Sequence, residues 1–194
     1  MELNTVYNEG PAAPSATVVL LRDARDDVEV FLLRRHGQSD VLGGAYVFPG
    51  GKVDAEDVEW AERLDATPRE LHARLGEPEL APAVAAGLFV TAIRELFEET
   101  GVLLAEVTPR QASEAWAALR TGPGFDELLA PTGVRLSAAA LHPWSRWITP
   151  TLSSVTRKRF DTRFFVATVP AGQVPSHDTH EATASVWLPP RERL

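Results

Sequence analysis

The segment from Pro82 to Gly101 constrains the fold more than any other part of the sequence. Its apolar residues recur at helical spacing, as Val84, Leu88, Ile93, Leu96 and Phe97. Pro82 suits the first turn of a helix, and Gly101 suits its end, where a left-handed backbone is favourable. The sequence therefore predicts a long buried helix that ends at Thr100. Gly87 inside it costs about 1 kcal/mol relative to Ala, and close packing against a sheet is one explanation.

Three glutamates are predicted to share one face of this helix. Glu95, Glu98 and Glu99 have the spacing i, i+3, i+4, which brings their side chains together. A divalent cation such as Mg²⁺ would offset their mutual repulsion, because it prefers oxygen ligands and high negative charge. Arg94 lies one turn from Glu98 and is placed to brace it. A solvated acidic face is the ordinary alternative, but the apolar surroundings and a Gly-Gly turn upstream favour a functional site.

The same residues resemble the signature of the Nudix hydrolases, G-x5-E-x7-R-E-U-x-E-E-x-G-U with U aliphatic. Residues 94–102 match the second half of this signature at every defined position. The glutamate of the first half falls on Asp57 when counted from Gly51, or on Glu56 when counted from Gly50. About 29 additional residues separate the two halves.

This insertion resembles that of the Nudix subgroup that contains the peroxisomal coenzyme A diphosphatase of animals. The similarity includes residues 44–54 and 159–165 and covers roughly residues 15–190. It implies an α/β fold, a Nudix-type α/β/α sandwich with a mixed sheet and helical insertions. Members of the family usually continue into a further helix after residues 187–190, whereas this sequence ends at Leu194.

The remaining patterns predict one domain over residues 1–194 with a flexible N-terminus of about residues 1–14. Helical inserts are expected at about 55–82 and 109–131, because Ala, Glu, Leu and Arg recur there between Pro and Gly residues. Alternating and β-branched runs predict a hairpin and further strands. The predicted strands are Ala16–Leu21, Val28–Leu33, Tyr46–Phe48, a strand that begins with Val102–Leu104, and 141–148, 162–169 and 183–188.

The Nudix resemblance implies a hydrolase that uses Mg²⁺ or Mn²⁺ to cleave a small-molecule diphosphate. Its implied metal ligands are the carboxylates of Glu95, Glu98, Glu99 and Glu181 and the carbonyl of Gly50. Glu95 is a ligand or the catalytic base, and the implied catalytic residues are Glu95, Glu98 and Arg94, the last of which orients the carboxylates. His177, Asp178 and His180 beside Glu181 are interpreted as a polar surface loop, since no zinc pattern accompanies them.

Coenzyme A or acyl-coenzyme A is the leading substrate class, and ADP-sugars, dinucleotides and oxidised nucleotides are alternatives. A non-catalytic ligand sensor is a third alternative. The predicted substrate-binding residues are Arg34, Arg35, Gly51 and Arg159, with Arg157, Lys158 and Arg163 near the last of these. Charged turns explain these cations equally well. Asp40 stands where the coenzyme A signature of other Nudix enzymes has Arg. Trp144 and Trp147 are interpreted as core residues, with base stacking as the alternative.

Composition restricts the partners and the compartment. The chain has 19 Lys and Arg against 27 Asp and Glu, for a formal charge of −8, which argues against a general nucleic-acid binder. Zero cysteines fit a reducing compartment. No apolar run approaches the length of a membrane span, and no signal pattern opens the sequence. A cytoplasmic protein is expected, and the oligomeric state stays open, with a homodimer as one alternative.

Overall fold

Seven strands form one mixed sheet in residues 10–25, 27–37, 43–151 and 158–191, which are those that the computed structural model describes. The strands are β1 (Ala13–Asp23), β2 (Val28–Arg35), β3 (Tyr46–Val47), β4 (Gly50–Lys52), β5 (His142–Ile148), β6 (Phe160–Thr168) and β7 (Ala182–Leu188). Their order is β3-β2-β1-β6-β5, with β4 also paired to β1 and β7 to β2. β1 and β6 are parallel, and the other pairs are antiparallel. The predicted α/β fold with a mixed sheet is confirmed.

Five α-helices and several 3₁₀ turns accompany the sheet in the described part of the chain. The helices are α1 (Ala55–Glu59), α2 (Pro68–Leu75), α3 (Pro82–Thr100), α4 (Pro109–Leu119) and α5 (Phe125–Leu129). The 3₁₀ turns are Trp60–Arg63, Ala130–Thr132 and Ala138–Ala140. α3 contacts β1 and β4 on one side and α1, α2 and α4 on others, so it is the centre of the fold.

The long helix predicted from the sequence is confirmed as α3. Fourteen of its nineteen residues are buried, which identifies a helix surrounded by other elements on nearly every side. Its Phe89 ring packs on Phe165 of β6 with centroids 4.8 Å apart. Gly101 ends the helix with φ 77°. A Cβ at Gly87 would lie 3.1 Å from Cγ2 of Val58, so this glycine accommodates α1 and not the sheet.

The strand predictions are confirmed except for the one at Val102–Leu104. No strand forms at Val102–Leu104, because the side-chain amide of Gln173 binds both the N–H and the C=O of Leu103 in place of a neighbouring strand. β1 begins at Ala13, so the loose N-terminus predicted as far as residue 14 is wrong for its last two residues, and residues 1–9 lie outside the described ranges. β4 was not predicted, since its three residues carry no strand pattern.

None of the described helices combines the length and the apolar character that a membrane span requires. Asp40, Arg157 and Leu194 lie outside the described residues.

Candidate active site

Arg94 is the centre of a cluster of carboxylates at the C-terminal half of α3. Its Nε and Nη2 donate to the two carboxylate oxygens of Asp57 at 2.8 and 2.9 Å. Its Nη1 donates to Oε1 of Glu95 at 2.9 Å and to Oε2 of Glu98 at 3.0 Å. Arg94 is only 9% exposed, so these contacts form largely out of water. The bracing of Glu98 predicted from the sequence is present.

Asp57 and Glu56, the two candidates for the first acid of the split signature, differ in burial. Asp57 is 2% exposed, whereas Glu56 is exposed. The Asp57 carboxylate accepts from Oγ1 of Thr91 at 2.8 Å and from the backbone N–H of Asp54 at 2.9 Å, in addition to Arg94. The second of these bonds caps α1 and fixes the side chain. The structure therefore favours counting the signature from Gly51, which the sequence alone left open.

The glycine pair before the insertion lets β4 approach α3 closely. A Cβ at Gly51 would collide with the carboxyl group of Glu95. Gly50 has φ 155°, and a Cβ there would lie 2.7 Å from Oγ1 of Thr17. The Gly50 N–H donates to Oε2 of Glu99 at 3.1 Å. A side chain at Gly51 would displace Glu95 from β4, and one at Gly50 would collide with Ala16 and Thr17 of β1.

Glu181 approaches the same acids from a different part of the chain. The loop before β7 is bound to the end of α3, because Ser176 N–H donates to Thr100 O at 3.0 Å and Asp178 N–H donates to Glu99 O at 3.1 Å. These bonds also satisfy carbonyls that the end of a helix leaves free. Glu181 thereby lies near enough to influence Glu99 and Glu95.

Burial and mutual repulsion change the acidity of these glutamates. Burial raises the pKa of Glu95 to about 7, although the charge of Arg94 opposes the change and Glu98 and Glu181 add to it. Burial, and then the nearby Glu181, raise the pKa of Glu99 well above its usual range. Burial also raises the pKa of Glu98, against the effect of Arg94. One arginine therefore does not neutralise the acids around it.

This donor set fits a divalent cation, since carboxylate oxygens with unbalanced negative charge are the groups that Mg²⁺ and Mn²⁺ prefer. In the described residues no three His, Cys, Asp or Glu side chains converge as they would around a bound ion. Glu95 and Glu98 each direct one carboxylate oxygen at Arg94.

A cavity of about 820 Å³ adjoins the acids, and its wall includes Glu95, Glu99 and Glu181. One end is formed by Arg35 with Tyr46, Val47 and Phe48, and the other by Lys158 with Phe160, Thr162 and Phe164. The three cavity residues of β6 were not predicted from the sequence. Their alternation with the buried Arg163 and Phe165 was the available signal, because side chains of a strand point to its two faces in turn.

The predicted substrate-binding arginines have different surroundings. Arg35 lines the cavity, and its Nε is buried without a hydrogen-bonding partner in the described part of the chain. Arg34 is exposed and does not line the cavity. Arg159 also lies outside the cavity wall, where its guanidinium donates to Thr149 O at 3.0 Å and to Gly10 O at 2.7 Å. The structure thus brings Arg35 and Gly51, but not Arg34 or Arg159, to the cavity.

Trp144 and Trp147 were predicted to be buried in the core, and the structure contradicts this prediction. Trp144 and Trp147 in β5 are 67% and 65% exposed, so their assignment to the core is wrong. β5 is an edge strand of the sheet, and an edge strand buries less of its surface than a central one.

Comparison with known proteins gives concordant matches in sequence. The family model described as the NUDT19 Nudix domain matches residues 8–194. The acyl-coenzyme A diphosphatase NUDT19 of Xenopus laevis is 29% identical over 207 residues, which are 87% of this chain and 54% of that protein. Its human counterpart is 29% identical over 203 residues, 84% of this chain and 54% of that protein. The chain thus spans about half the length of these relatives.

Solved structures give the same fold. A Nudix hydrolase from Alicyclobacillus acidocaldarius is 30% identical with a TM-score of 0.70, and the match covers 94% of this chain and 81% of that one. A MutT/nudix family protein from Enterococcus faecalis is 13% identical with a TM-score of 0.52, over 95% of this chain and 46% of that one. At that identity the second match bears on the fold alone.

Proposed function

Because this chain belongs to the NUDT19 Nudix domain family, we propose that it is a metal-dependent hydrolase that cleaves the diphosphate bond of coenzyme A or acyl-coenzyme A. The observation that carries the proposal is the surplus of carboxylates around Arg94, one of which, Glu95, lines a cavity large enough for a substrate together with Glu99 and Glu181. The substrate class follows the names of the relatives, which are acyl-coenzyme A diphosphatases.

Diphosphate cleavage needs a water molecule directed at phosphorus and positive charge around the phosphate oxygens. Mg²⁺ or Mn²⁺ would supply that charge and make the water more acidic. We assign its ligands to the carboxylates of Glu95, Glu98, Glu99 and Glu181 and the carbonyl of Gly50. Glu95 is either one of these ligands or the base that accepts the proton of the water. Arg94 and Asp57 hold the carboxylates in place, which keeps them oriented without the cost of rearrangement during the reaction.

Arg35 is the protein cation that we assign to the substrate phosphates. It lines the cavity together with Glu181, and its buried Nε has no partner among the described residues. A bound phosphate oxygen would satisfy this donor in a charge-assisted hydrogen bond. Arg35→Ala is therefore expected to lower kcat/KM by about 10- to 100-fold, the usual value of one hydrogen bond between charged groups.

Arg34→Ala is the matched control, because Arg34 is the preceding residue of the same strand but is exposed and lies outside the cavity wall. Its kcat/KM is expected to stay within about twofold of the wild type, as for surface substitutions generally. Equal losses in the two variants would contradict the assignment of Arg35 and point to a general effect of positive charge.

The test of the proposed function is a panel of diphosphates incubated with Mg²⁺ or Mn²⁺, with the products identified by mass. Coenzyme A, an acyl-coenzyme A, an ADP-sugar and a dinucleotide form the panel. Hydrolysis of coenzyme A to 4′-phosphopantetheine and adenosine 3′,5′-bisphosphate is expected. Preferred turnover of another compound would overturn the substrate class, and no turnover with intact protein would favour the ligand sensor.

Glu98→Gln is expected to lower the rate by on the order of 10²–10⁴, because a ligand or base is lost. Glu114→Gln is the matched control. Glu114 also accepts from an arginine four residues earlier, at 2.7 Å from Nε of Arg110, but on the exposed surface of α4. An unchanged rate in Glu98→Gln, or an equal loss in Glu114→Gln, would refute the assignment of Glu98.

A further inference from the structure

We infer that Trp147 is a stacking platform for the purine ring of the substrate, at the β6 end of the cavity. This inference rests on the proposed function, in which the substrate contains a nucleotide. In the orientation that follows, the nucleotide half of the substrate lies over β5 and β6, and its other half lies toward Tyr46 and Phe48.

The strand register places Trp147 beside the cavity wall. In the antiparallel pair of β5 and β6, Trp147 is directly opposite Thr162, which lines the cavity. Residues directly opposite in an antiparallel pair project from the same face, with Cβ atoms about 5 Å apart. Phe160 and Phe164, two residues to either side of Thr162, also line the cavity, and diagonal neighbours are within reach of an aromatic side chain. The indole of Trp147 therefore continues the cavity wall outward to the sheet edge.

Trp147 differs from the tryptophans that pack inside the protein. Trp60 packs against Phe125 in a tilted arrangement with centroids 5.1 Å apart, and Trp187 packs edge-on against Phe31 at the same distance. Trp116 lies over the end of α3 and donates from Nε1 to Glu98 O at 3.3 Å. Trp147 makes no ring contact with any described residue and is 65% exposed. A large planar apolar surface left open beside a cavity is suited to a ligand.

The surrounding chemistry favours a nucleotide over an acyl chain. An acyl chain is best held in an enclosed apolar channel, whereas this end of the cavity is the open face of a sheet with the hydroxyl of Thr162 among its rings. Lys158 lines the same end and contributes a positive charge. A flat ring and an anionic phosphate are the parts of a nucleotide that an indole face and an ammonium group bind.

The experiment measures binding of the two product halves to Trp147 variants in the full chain. Adenosine 3′,5′-bisphosphate and 4′-phosphopantetheine are each titrated by calorimetry with Mg²⁺ present. Trp147→Ala is expected to weaken binding of the adenosine compound by about tenfold, within the range measured for stacked bases. Trp147→Phe keeps a flat ring and is expected to recover most of that affinity, whereas Trp147→Leu is not. Binding of 4′-phosphopantetheine is expected to stay unchanged.

Trp144→Ala is the matched control. Trp144 lies in the same strand with nearly the same exposure, but at the register shift between Pro143 and Ser145, where it has no partner in β6. Equal losses in Trp144→Ala and Trp147→Ala, unchanged binding in Trp147→Ala, or a loss confined to 4′-phosphopantetheine would each overturn the inference. Thermal unfolding of each variant verifies that the fold is retained.

This readout does not depend on turnover. Nucleotide binding that depends on Trp147, in a protein that hydrolyses no member of the panel, would sustain the platform and refute the proposed function. Hydrolysis of coenzyme A with no contribution of Trp147 to nucleotide binding would support the proposed function and refute the platform.

Discussion

Two arginine-centred clusters join the insertion to the rest of the molecule, and they differ in their balance of charge. The Arg94 cluster consists of Arg94, Asp54, Asp57, Glu95 and Glu98. The Arg163 cluster consists of Arg163, Arg146, Glu77, Glu79 and Asp161. Each includes an acid from the insertion and an arginine from a core element. The first has four acids for one arginine, whereas the second has three acids for two.

The pKa values of the two clusters change in opposite directions. Burial raises the pKa of Glu95 and Glu98, and Arg94 opposes the change without overcoming it. Burial would also raise the pKa of Asp161, but hydrogen bonds and charge from Arg146 and Arg163 lower it overall. The Arg163 cluster therefore stabilises the ionised form of Asp161, as a structural ion-pair network does.

The Arg94 cluster needs additional positive charge, whereas the Arg163 cluster does not. A network whose acids are stabilised is complete as it stands, and its function is to hold the insertion on the sheet. A network whose buried acids resist ionisation stores unfavourable free energy, which a bound cation can relieve. The three predictions below test this distinction, from the largest expected effect to the smallest.

Arg94→Met is expected to lower the free energy of unfolding by about 3–5 kcal/mol, because it leaves the buried carboxylate of Asp57 unpaired. Its hydrolysis rate is expected to fall at least 100-fold, since the orientation of Glu95 and Glu98 is lost. Arg163→Met is the matched variant. Urea denaturation and rate measurement in both variants provide the test.

Arg163→Met is expected to be destabilised less, because Arg146 still contacts both Glu77 and Asp161 at 2.8 Å. Its hydrolysis rate is expected to stay within about threefold of the wild type, since the Arg163 cluster is outside the cavity wall. Loss of activity in Arg163→Met at wild-type stability would abolish the distinction between the two clusters.

In the absence of metal, stability is expected to fall with rising pH because of Glu95. Its folded-state pKa of about 7 lies above the ordinary 4.5, so the folded protein keeps a proton that the unfolded chain releases between these values. The free energy of unfolding therefore decreases from pH 4.5 to 7, by about 3 kcal/mol for this group. Glu95→Gln removes this decrease.

Urea denaturation of metal-free wild type and Glu95→Gln across this range measures the difference. Asp161→Asn gives the opposite contrast. The pKa of Asp161 is lowered in the folded state, so the wild type loses stability as the pH falls from the ordinary pKa of 3.8 through the folded-state pKa. The difference in stability between Asp161→Asn and the wild type therefore changes below pH 3.8. Parallel pH profiles for wild type and Glu95→Gln would contradict the predicted role of burial.

Mn²⁺ is expected to stabilise the wild type by about 2.7 kcal/mol at 100 times its dissociation constant, because it binds the folded state alone. Glu99→Gln is expected to lose most of this effect. Glu77→Gln is the control, since Glu77 binds Arg146 and Arg163 away from the cavity. An undiminished response in Glu99→Gln would remove Glu99 from the proposed ligands.

The sequence predicted the elements whose pattern is local. The buried helix with its proline start and glycine end was predicted from spacing alone, and so was the hairpin of β1 and β2. At Val102–Leu104 the backbone of Leu103 binds the side chain of Gln173, 70 residues distant, and the adjoining backbone pairing is limited to one bridge between Ala105 and Leu136. Apolar composition cannot distinguish these two kinds of partner.

Local spacing predicted the site only as far as its residues follow one another in the chain, whereas Glu181 and the Gly50–Gly51 pair were implied by the Nudix resemblance. Glu95, Glu98 and Glu99 share a helix, and their proximity followed from helical geometry. The choice between Asp57 and Glu56 required knowing which one α1 turns toward Arg94. Arg34 and Arg35 are equivalent in sequence, and only the course of β2 past the cavity distinguishes them.

The contact between Asp57 and Arg94 also has a topological consequence. These residues are 37 positions apart in sequence, yet their side chains meet at 2.8 Å. The segment between them is therefore a closed loop. The entropic cost of closing a loop rises slowly, by about 0.6 kcal/mol for each doubling of its length. Residues could be added or deleted at its outer turns while the chemistry at its base kept the same geometry.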